Sequence, residues 1–557
     1  MNVCVALILG SGGVMPTADA AEAVHFQWFE YSGRDAALEA PLQAGQFRNP
    51  ILAGYYPDPS IARVGETYYL VNSSFAHFPG IPIHESRDLV HWRLVGHALG
   101  DPNQLRFDGL GISRDVFAPS IQYHAGTFYI VNTLVDAGGN FYVTARNANG
   151  PWSDPVWLQG IDGIDPSFFF DTDGKAYIVN NGPPAYPPLY EGHRAIWMQA
   201  FDLASGQPVG PRRVLVDGGT DIAKRPIWIE GPHLYRRMGW YYLMCAEGGT
   251  GSGHSEVVFR ARSPWGPFTS YSGNPILTQR DLPANRADPV SNAGHADLVA
   301  MKDRTWWAVF LGSRPYEGDR YNTGRETFLL PVHWKAGWPV ILERGRSIPY
   351  ALAGPRAMMT ADPERFDPGL SGNFTLRDEF DERALRPEWM QVHVPTQSWF
   401  GIHGGELLIQ PLLAGLDAKR NASFLARRQQ HSHFDASTQL TPPASMGVAA
   451  GLAAFQNEAH WYFLGTHRVD GGLQIFLERD AGAERQVVAS ARIAAPSTLR
   501  LRISGEGGQY SFFYDIGQGW QALRDSDDAS ILSTSVAGGF VGTVLGPYAR
   551  MEPDQPP

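Results

Sequence analysis

Tyr56-Pro-Asp58-Pro-Ser60, followed after a short apolar run and a Gly-containing turn by Tyr68-Tyr-Leu-Val71, is the first of five similar stretches in this chain. The same order of polar residue, Pro or Gly, short strand, turn and aromatic-rich strand returns at Phe117-Ala-Pro-Ser with Phe128-Tyr-Ile-Val, and at Ile164-Asp165-Pro-Ser with Ala176-Tyr-Ile-Val. It returns more loosely at Ile229-Glu230-Gly-Pro with Trp240-Tyr-Tyr-Leu, and at Gly294-His295-Ala-Asp297 with Trp306-Trp-Ala-Val. Five all-β units in tandem predict a five-bladed β-propeller. Between them, the stretches ending at Trp92, Gly150-Pro-Trp152 and Ser263-Pro-Trp265 mark outer strands, with the tryptophans expected to fill the space between blades.

The units differ at one informative place. The position before the Pro, Gly or Ala holds Asp58, Ala118, Asp165, Glu230 and His295 in turn. If each blade sets that position at the same radius, three carboxylates and an imidazole converge near the axis. Asp-Pro-Ser is also ordinary turn chemistry, and that explains any one of the acids. It explains all three poorly, because a buried carboxylate is costly unless it is paired or used.

The 557 residues are enough for at least two domains. A 12% aromatic content, abundant Gly and Pro and no long helical pattern favour an all-β chain. The formal charge of -11 is spread without acidic or basic runs, which disfavours nucleic acid or an anionic membrane as partner and favours a neutral ligand. Val3 to Val14 is apolar and is followed by Ala18-Asp-Ala20, so residues 1–22 are expected to be an export signal, although no Lys or Arg precedes the run. The run is too short for membrane insertion, and the expected location is periplasmic or secreted. With Cys4 inside that signal, Cys245 would remain alone in an apolar strand, as a buried, inert thiol.

Residues 23–47 read as a lead-in packed against the propeller, 48–345 as the propeller, 346–372 as a linker and 373–557 as a β-sandwich. The sandwich assignment rests on segments such as Gly405-Glu-Leu-Leu-Ile-Gln, Ala449 to Phe455, His460 to Leu464 and Leu499 to Ile503, read as period-two strands separated by Gly-rich turns. Nothing in that half forms a complete catalytic set.

The run Asn49 to Ser60, Phe78-Pro-Gly-Ile-Pro-Ile-His84, Gly163-Ile-Asp165-Pro-Ser, Glu230-Gly-Pro-His233 and Gly324-Arg325-Glu-Thr together resemble glycoside hydrolase family 43, the β-xylosidases and α-L-arabinofuranosidases. Asn181-Gly-Pro-Pro and Glu191-Gly-His-Arg-Ala-Ile-Trp197 are similar to a branch containing exo-acting arabinofuranosidases of plant hemicellulose. The resemblance implies an inverting mechanism with Asp58 as general base, Glu230 as general acid and Asp165 as the residue that orients the acid and raises its pKa. Inversion asks for about 6.5–9.5 Å between acid and base, a gap that carboxylates from different blades can supply.

The same resemblance implies substrate contacts from Arg325, Phe75 and Phe117, the last a departure from the Trp common in the family. An ordinary ion pair with Glu326 is the competing reading for Arg325, and core burial competes for the two phenylalanines. His254, in a glycine-rich loop, is expected at the pocket mouth; that loop lacks the Gly-Lys-Ser/Thr of a phosphate cradle. The resemblance also implies that no cofactor is required and that His295 supports calcium or another cation through water near the propeller axis, although one imidazole is poor calcium chemistry. The loop Phe455 to Glu458 is the expected element that blocks one end of the groove.

The resulting expectation is an inverting exo-glycosidase removing terminal α-L-arabinofuranosyl residues from plant cell-wall oligosaccharides, with β-D-xylopyranosyl as the close second. A non-catalytic carbohydrate-binding protein is the rival from another class. A retaining hydrolase of the invertase type lacks support, because its Asn-Asp-Pro-Asn-Gly motif is absent.

Overall fold

The structure is a computed structural model that describes residues 22–105, 109–360 and 367–552. All of the expected export signal except Glu22 lies outside the described residues. No described helix is long and apolar enough to cross a membrane.

The repeats form a five-bladed β-propeller of antiparallel sheets. Its inner strands are Ser60–Val64, Ser120–His124, Ile164–Phe170, Glu230–Arg237 and Ser291–Ala300, each paired with the aromatic-rich strand that follows it. Two of the three repeated serines bridge blades in this ring. Ser60 donates from Oγ to Asp297 Oδ2 of the last blade at 2.7 Å and accepts from the backbone N–H of Ile121 in the second at 3.1 Å. Ser167 donates to the carbonyl of Pro232 at 2.5 Å, and Tyr235 donates to Asp297 Oδ1 at 2.6 Å. Buried polar groups are thus satisfied between blades as well as within them. The outer tryptophans also join blades: Trp265 meets Tyr177 edge-on at 5.4 Å, and buried Trp92 shares a core with Phe47 and Trp307.

Two eight-stranded sheets make the sandwich, and neither is drawn only from the C-terminal half. The expected lead-in is corrected here. Val24–Gly33 is an interior strand of the first sheet, pairing with Phe374–Asp378, Glu406–Ile409 and His433–Leu440. Alternation, reset by a register shift between Phe26 and Trp28, places Phe26, Phe29 and Tyr31 in the sandwich core, where apolar burial is the dominant gain. The second sheet ends in a two-residue strand, His77–Phe78, contributed by the propeller chain. Within the expected linker, Ala351–Ala353 pairs back with Gln46–Arg48.

Val448–Asn457 is buried along nearly all its length, which explains why its sequence is an apolar run rather than a clean alternation. One side chain set, including Leu452, faces the core between the sheets; the other, including Ala453 and Phe455, joins a second core with Tyr55, Phe75 and Ile112 of the propeller. At the same junction buried Arg314 donates to Asp35 and Glu326, each at 2.6 Å, and to the carbonyl of Gln430 at 2.7 Å. That charge is fully partnered, as a buried guanidinium must be.

Candidate active site

Asp58, Asp165 and His295 share one backbone conformation, with φ of 51°, 52° and 52°. These are left-handed values, each costing a non-glycine residue about 1–3 kcal/mol. Glu230 does not share it, and the alignment expected from sequence shifts by one residue at this blade. Ile164 pairs with Asn181 and Ser167 with Val179; Glu230 pairs with Ala246 and His233 with Met244; Gly294 pairs with Leu311 and Asp297 with Val309. Glu230 is therefore the counterpart of Ile164 and Gly294, and the left-handed position in its blade is Gly231, φ 55°. A Cβ at Gly231 would stand 2.9 Å from His295 Nε2, so both conformation and space demand glycine there.

The two aspartates are buried, at 5% and 6% exposure, while Glu230 is partly exposed. Asp58 accepts from Ser73 Oγ at 2.6 Å and from Arg325 at 2.8 Å and 3.4 Å, one guanidinium nitrogen to each carboxylate oxygen. Burial pushes its pKa up, but Arg325, His295 and Ser73 outweigh that and hold it below the ordinary carboxylate value. Asp165 accepts the Gly231 N–H at 3.1 Å, and burial together with the Asp58 charge raises its pKa. Glu230 is raised well above its ordinary value by burial, then by Asp165 and Asp58, with Arg325 and Arg194 opposing. One end of this row thus favours a carboxylate and the other a carboxylic acid.

Arg325 belongs to this site and not to Glu326, whose carboxylate is taken by Arg314. Its guanidinium also donates to Thr250 Oγ1 at 3.0 Å and to the carbonyl of Phe540 at 3.4 Å. Phe75, Phe117 and Phe540 close around it: Phe75 and Phe540 stack at 5.8 Å, and Phe117 meets them edge-on at 5.2 Å and 5.6 Å. Phe75 is 2% exposed and backs this wall, whereas Phe117 and Phe540 are partly open.

Phe540 was not expected from sequence. It comes from the sandwich, on the Gly-Gly-Phe-Val-Gly turn at 538–542, and its own N–H donates to Ser113 Oγ at 3.0 Å. Gly542 lies so close to Gly324 that a Cβ on either would come within 3 Å of the other's backbone, which lets the turn reach Arg325. The loop expected to block the groove, Phe455 to Glu458, acts behind it. Gln456 donates to the carbonyls of Gly538 and Val541, Asn457 to that of Ala537, and Glu458 accepts the Ile112 N–H.

His254 is also corrected. It is 1% exposed, donates from Nδ1 to the carbonyl of Asn292 at 2.8 Å and lies under Gly294, not at a mouth. The glycine-rich loop reaches the site through Thr250 instead. His295 sets Nδ1 3.8 Å from Asp58 Oδ1, and burial lowers both imidazoles to a pKa of about 4, leaving them neutral at physiological pH. Calcium takes about six to eight oxygen ligands, and among the described residues no group of three His, Cys, Asp or Glu is arranged so that it could hold a metal ion. The donors around His295 do not fit a cation, and no chemistry here is routed through one. Cys245 is free and buried, its thiol pKa raised by burial.

A separate open groove of about 1130 Å³ lies along the sandwich, lined by Ser32, His433, Asp435, Ser504, Gln509 and Asp525 among others. It contains none of the site carboxylates.

A row of carboxylates from separate propeller blades, walled by an aromatic from the sandwich, agrees with the comparisons to known proteins. The model for glycosyl hydrolases family 43 matches residues 47–339, and that for the beta xylosidase C-terminal concanavalin A-like domain matches 377–555. The chain belongs to glycosyl hydrolases family 43. Within the family it is 34% identical to the non-reducing end alpha-L-arabinofuranosidase of Bacteroides ovatus, over 90% of this chain and 91% of that one. It is 36% identical to a xylosidase/arabinosidase of Butyrivibrio fibrisolvens, over 90% and 95%. A family-43 crystal structure, designated GH43_12 and retrieved from a capybara gut metagenome, superposes with a TM-score of 0.90 at 39% identity, covering 95% of this chain and all of the other. This chain is accordingly a family-43 glycoside hydrolase of the exo-acting arabinofuranosidase and xylosidase kind, and its chemistry needs no cofactor.

Proposed function

We propose that the enzyme is an inverting exo-glycosidase that removes terminal α-L-arabinofuranosyl residues from hemicellulose oligosaccharides. In this reading Asp58 takes a proton from water as it attacks the anomeric carbon, and Glu230 delivers a proton to the departing oxygen. Asp165 keeps Glu230 protonated and, through the Gly231 N–H, holds its strand. The observation that carries this assignment is the opposed environment of the two ends: Asp58 is clasped by Arg325 and Ser73, while Glu230 stands beside a second buried acid. Arg325 fixes Asp58 and, with Phe117 and Phe540, bounds a pocket for one neutral sugar.

β-D-Xylosidase activity is the second reading, favoured by relatives named xylosidase/arabinosidase and β-xylosidase. Two pentoses can present similar hydroxyl patterns to one pocket. The apolar N-terminal run and its Ala18-Asp-Ala20 support export to the periplasm or medium. Hydrolysis of 4-nitrophenyl α-L-arabinofuranoside and β-D-xylopyranoside, with the first-formed anomer followed by proton NMR, tests the reading. Inverted arabinose is expected; faster xylose release would promote the second reading, and retained product would overturn the roles of Asp58 and Glu230.

A further inference from the structure

Protonation of a glycosidic oxygen fixes where the departing sugar lies: beside the acid, on the side away from the base. Two residues before Glu230, Trp228 has φ 50°, a conformation that a bulky side chain adopts only at a cost. Its N–H donates to the carbonyl of Gly192 at 2.9 Å, and the Arg194 guanidinium lies 4.1 Å from its ring centroid. Both side chains are partly exposed. Arg194 is near enough to Glu230 for its charge to be felt by that carboxyl, yet among the described residues its guanidinium makes no ion pair.

The loop that carries Arg194 is firmly set. Buried His193 bonds Asp217 through Nε2 at 3.0 Å, accepts the Leu189 N–H at 3.2 Å and stacks on Tyr190 at 4.8 Å. The carbonyl of Arg194 accepts the Gly218 N–H at 3.0 Å. Around this loop Ile227, Tyr186 and Leu189 stay exposed at 50%, 42% and 60%, and a Cβ on Gly192 would touch Ile227. An aromatic ring, an uncommitted set of N–H donors and an apolar border beside the acid suit a neutral sugar, which offers apolar C–H faces and hydroxyl edges.

We propose that Trp228 and Arg194 form the platform for the sugar on the leaving-group side, so that this enzyme reads a pyranose unit of the hemicellulose chain as well as the terminal pentose. Trp228 supplies the stacking face, and Arg194 fixes that ring and offers hydrogen bonds to hydroxyls at the sugar's edge. The Glu191 to Trp197 stretch thereby gains a function. The inference rests on the assignment of Glu230 as acid.

Trp228→Ala, Trp228→Phe and Arg194→Ala are compared with wild type on a short arabinosylated xylo-oligosaccharide and on methyl α-L-arabinofuranoside. The methyl glycoside demands the same protonation but brings no second ring. For the two alanine variants, kcat/KM on the oligosaccharide is expected to fall about tenfold more than on the methyl glycoside, and Trp228→Phe should restore most of the difference. Equal losses on both substrates, or no loss on the oligosaccharide, would overturn the platform. If Trp228→Ala fails to fold, Arg194→Ala alone carries the comparison, with the same tenfold excess loss on the oligosaccharide expected. A wild type that cleaves neither substrate overturns the functional reading and the platform with it; a wild type that cleaves both, with variants that lose equally, overturns the platform alone.

Discussion

The propeller and the sandwich meet at one pocket but contribute opposite materials. From the propeller come charge and strain: three carboxylates, Arg325 and left-handed residues at Asp58, Asp165 and His295. The sandwich contributes an apolar ring, Phe540, and a carbonyl that accepts from Arg325. Reacting groups need fixed protonation states and fixed positions, which a closed ring of blades can enforce. A wall that selects substrate by shape can come from a loop laid over it. Propeller substitutions should then act on the chemical step, and sandwich substitutions on binding.

The largest effect is expected for Asp58→Ala, which should lower kcat about 10³–10⁴-fold on every substrate, since water activation is needed whatever departs. Steady-state kinetics on aryl and natural substrates would check it, and a residual rate above about one tenth would remove Asp58 as base. Glu230→Ala should cost about 10²–10³-fold on natural linkages and much less on 4-nitrophenyl glycosides, whose leaving group needs little protonation. Equal losses on both would end its role as acid.

Two pH profiles sharpen the same division. With Asp58 as the proposed base and Glu230 as the proposed acid, activity would require the first ionised and the second protonated, which puts the active window between a lowered and a raised pKa. Asp165→Asn removes a negative neighbour of Glu230, makes its ionisation easier and should move the alkaline limb of kcat/KM down by about one pH unit or more. Arg325→Met removes the cation that favours ionised Asp58 and should move the acid limb up by a similar amount. The smallest effect is expected for Phe540→Ala, with KM raised about tenfold and kcat nearly constant. A larger fall in kcat than rise in KM would erase the distinction between the two domains.

The propeller was legible because it repeats: a strand-turn-strand unit written five times needs little tertiary information. Asp58, Asp165, Glu230 and Arg325 were legible because their motifs are specific, and the structure brings Arg325 onto Asp58. Three things were hidden. The one-residue offset of Glu230 depends on a bulge register, and the sequence shows only the Gly that accommodates it. Phe540 sits in a short turn whose partner, Gly324, is remote in the chain. His254 looked exposed because glycines surround it in the chain, yet Gly294 of the last blade lies directly over its ring. Ala449 to Phe455 was read correctly as a sandwich strand, but not its second buried face: Val448–Asn457 is covered on both sides, which blurs the alternation.

Val24–Gly33 precedes the whole propeller in the chain, yet Phe29 is matched to Asp378 and Thr438, and Val24 to Ile409. On a ribosome, its partners have not been made until the entire catalytic ring has already emerged. The first strand must wait as an unpaired apolar ribbon while five blades close behind it, the interval in which such a chain is most exposed to chaperones and to its own neighbours. Completion of the enzyme is therefore a late event in time as well as in sequence: the end of the chain returns to claim its beginning, and only then is the pocket given its last wall.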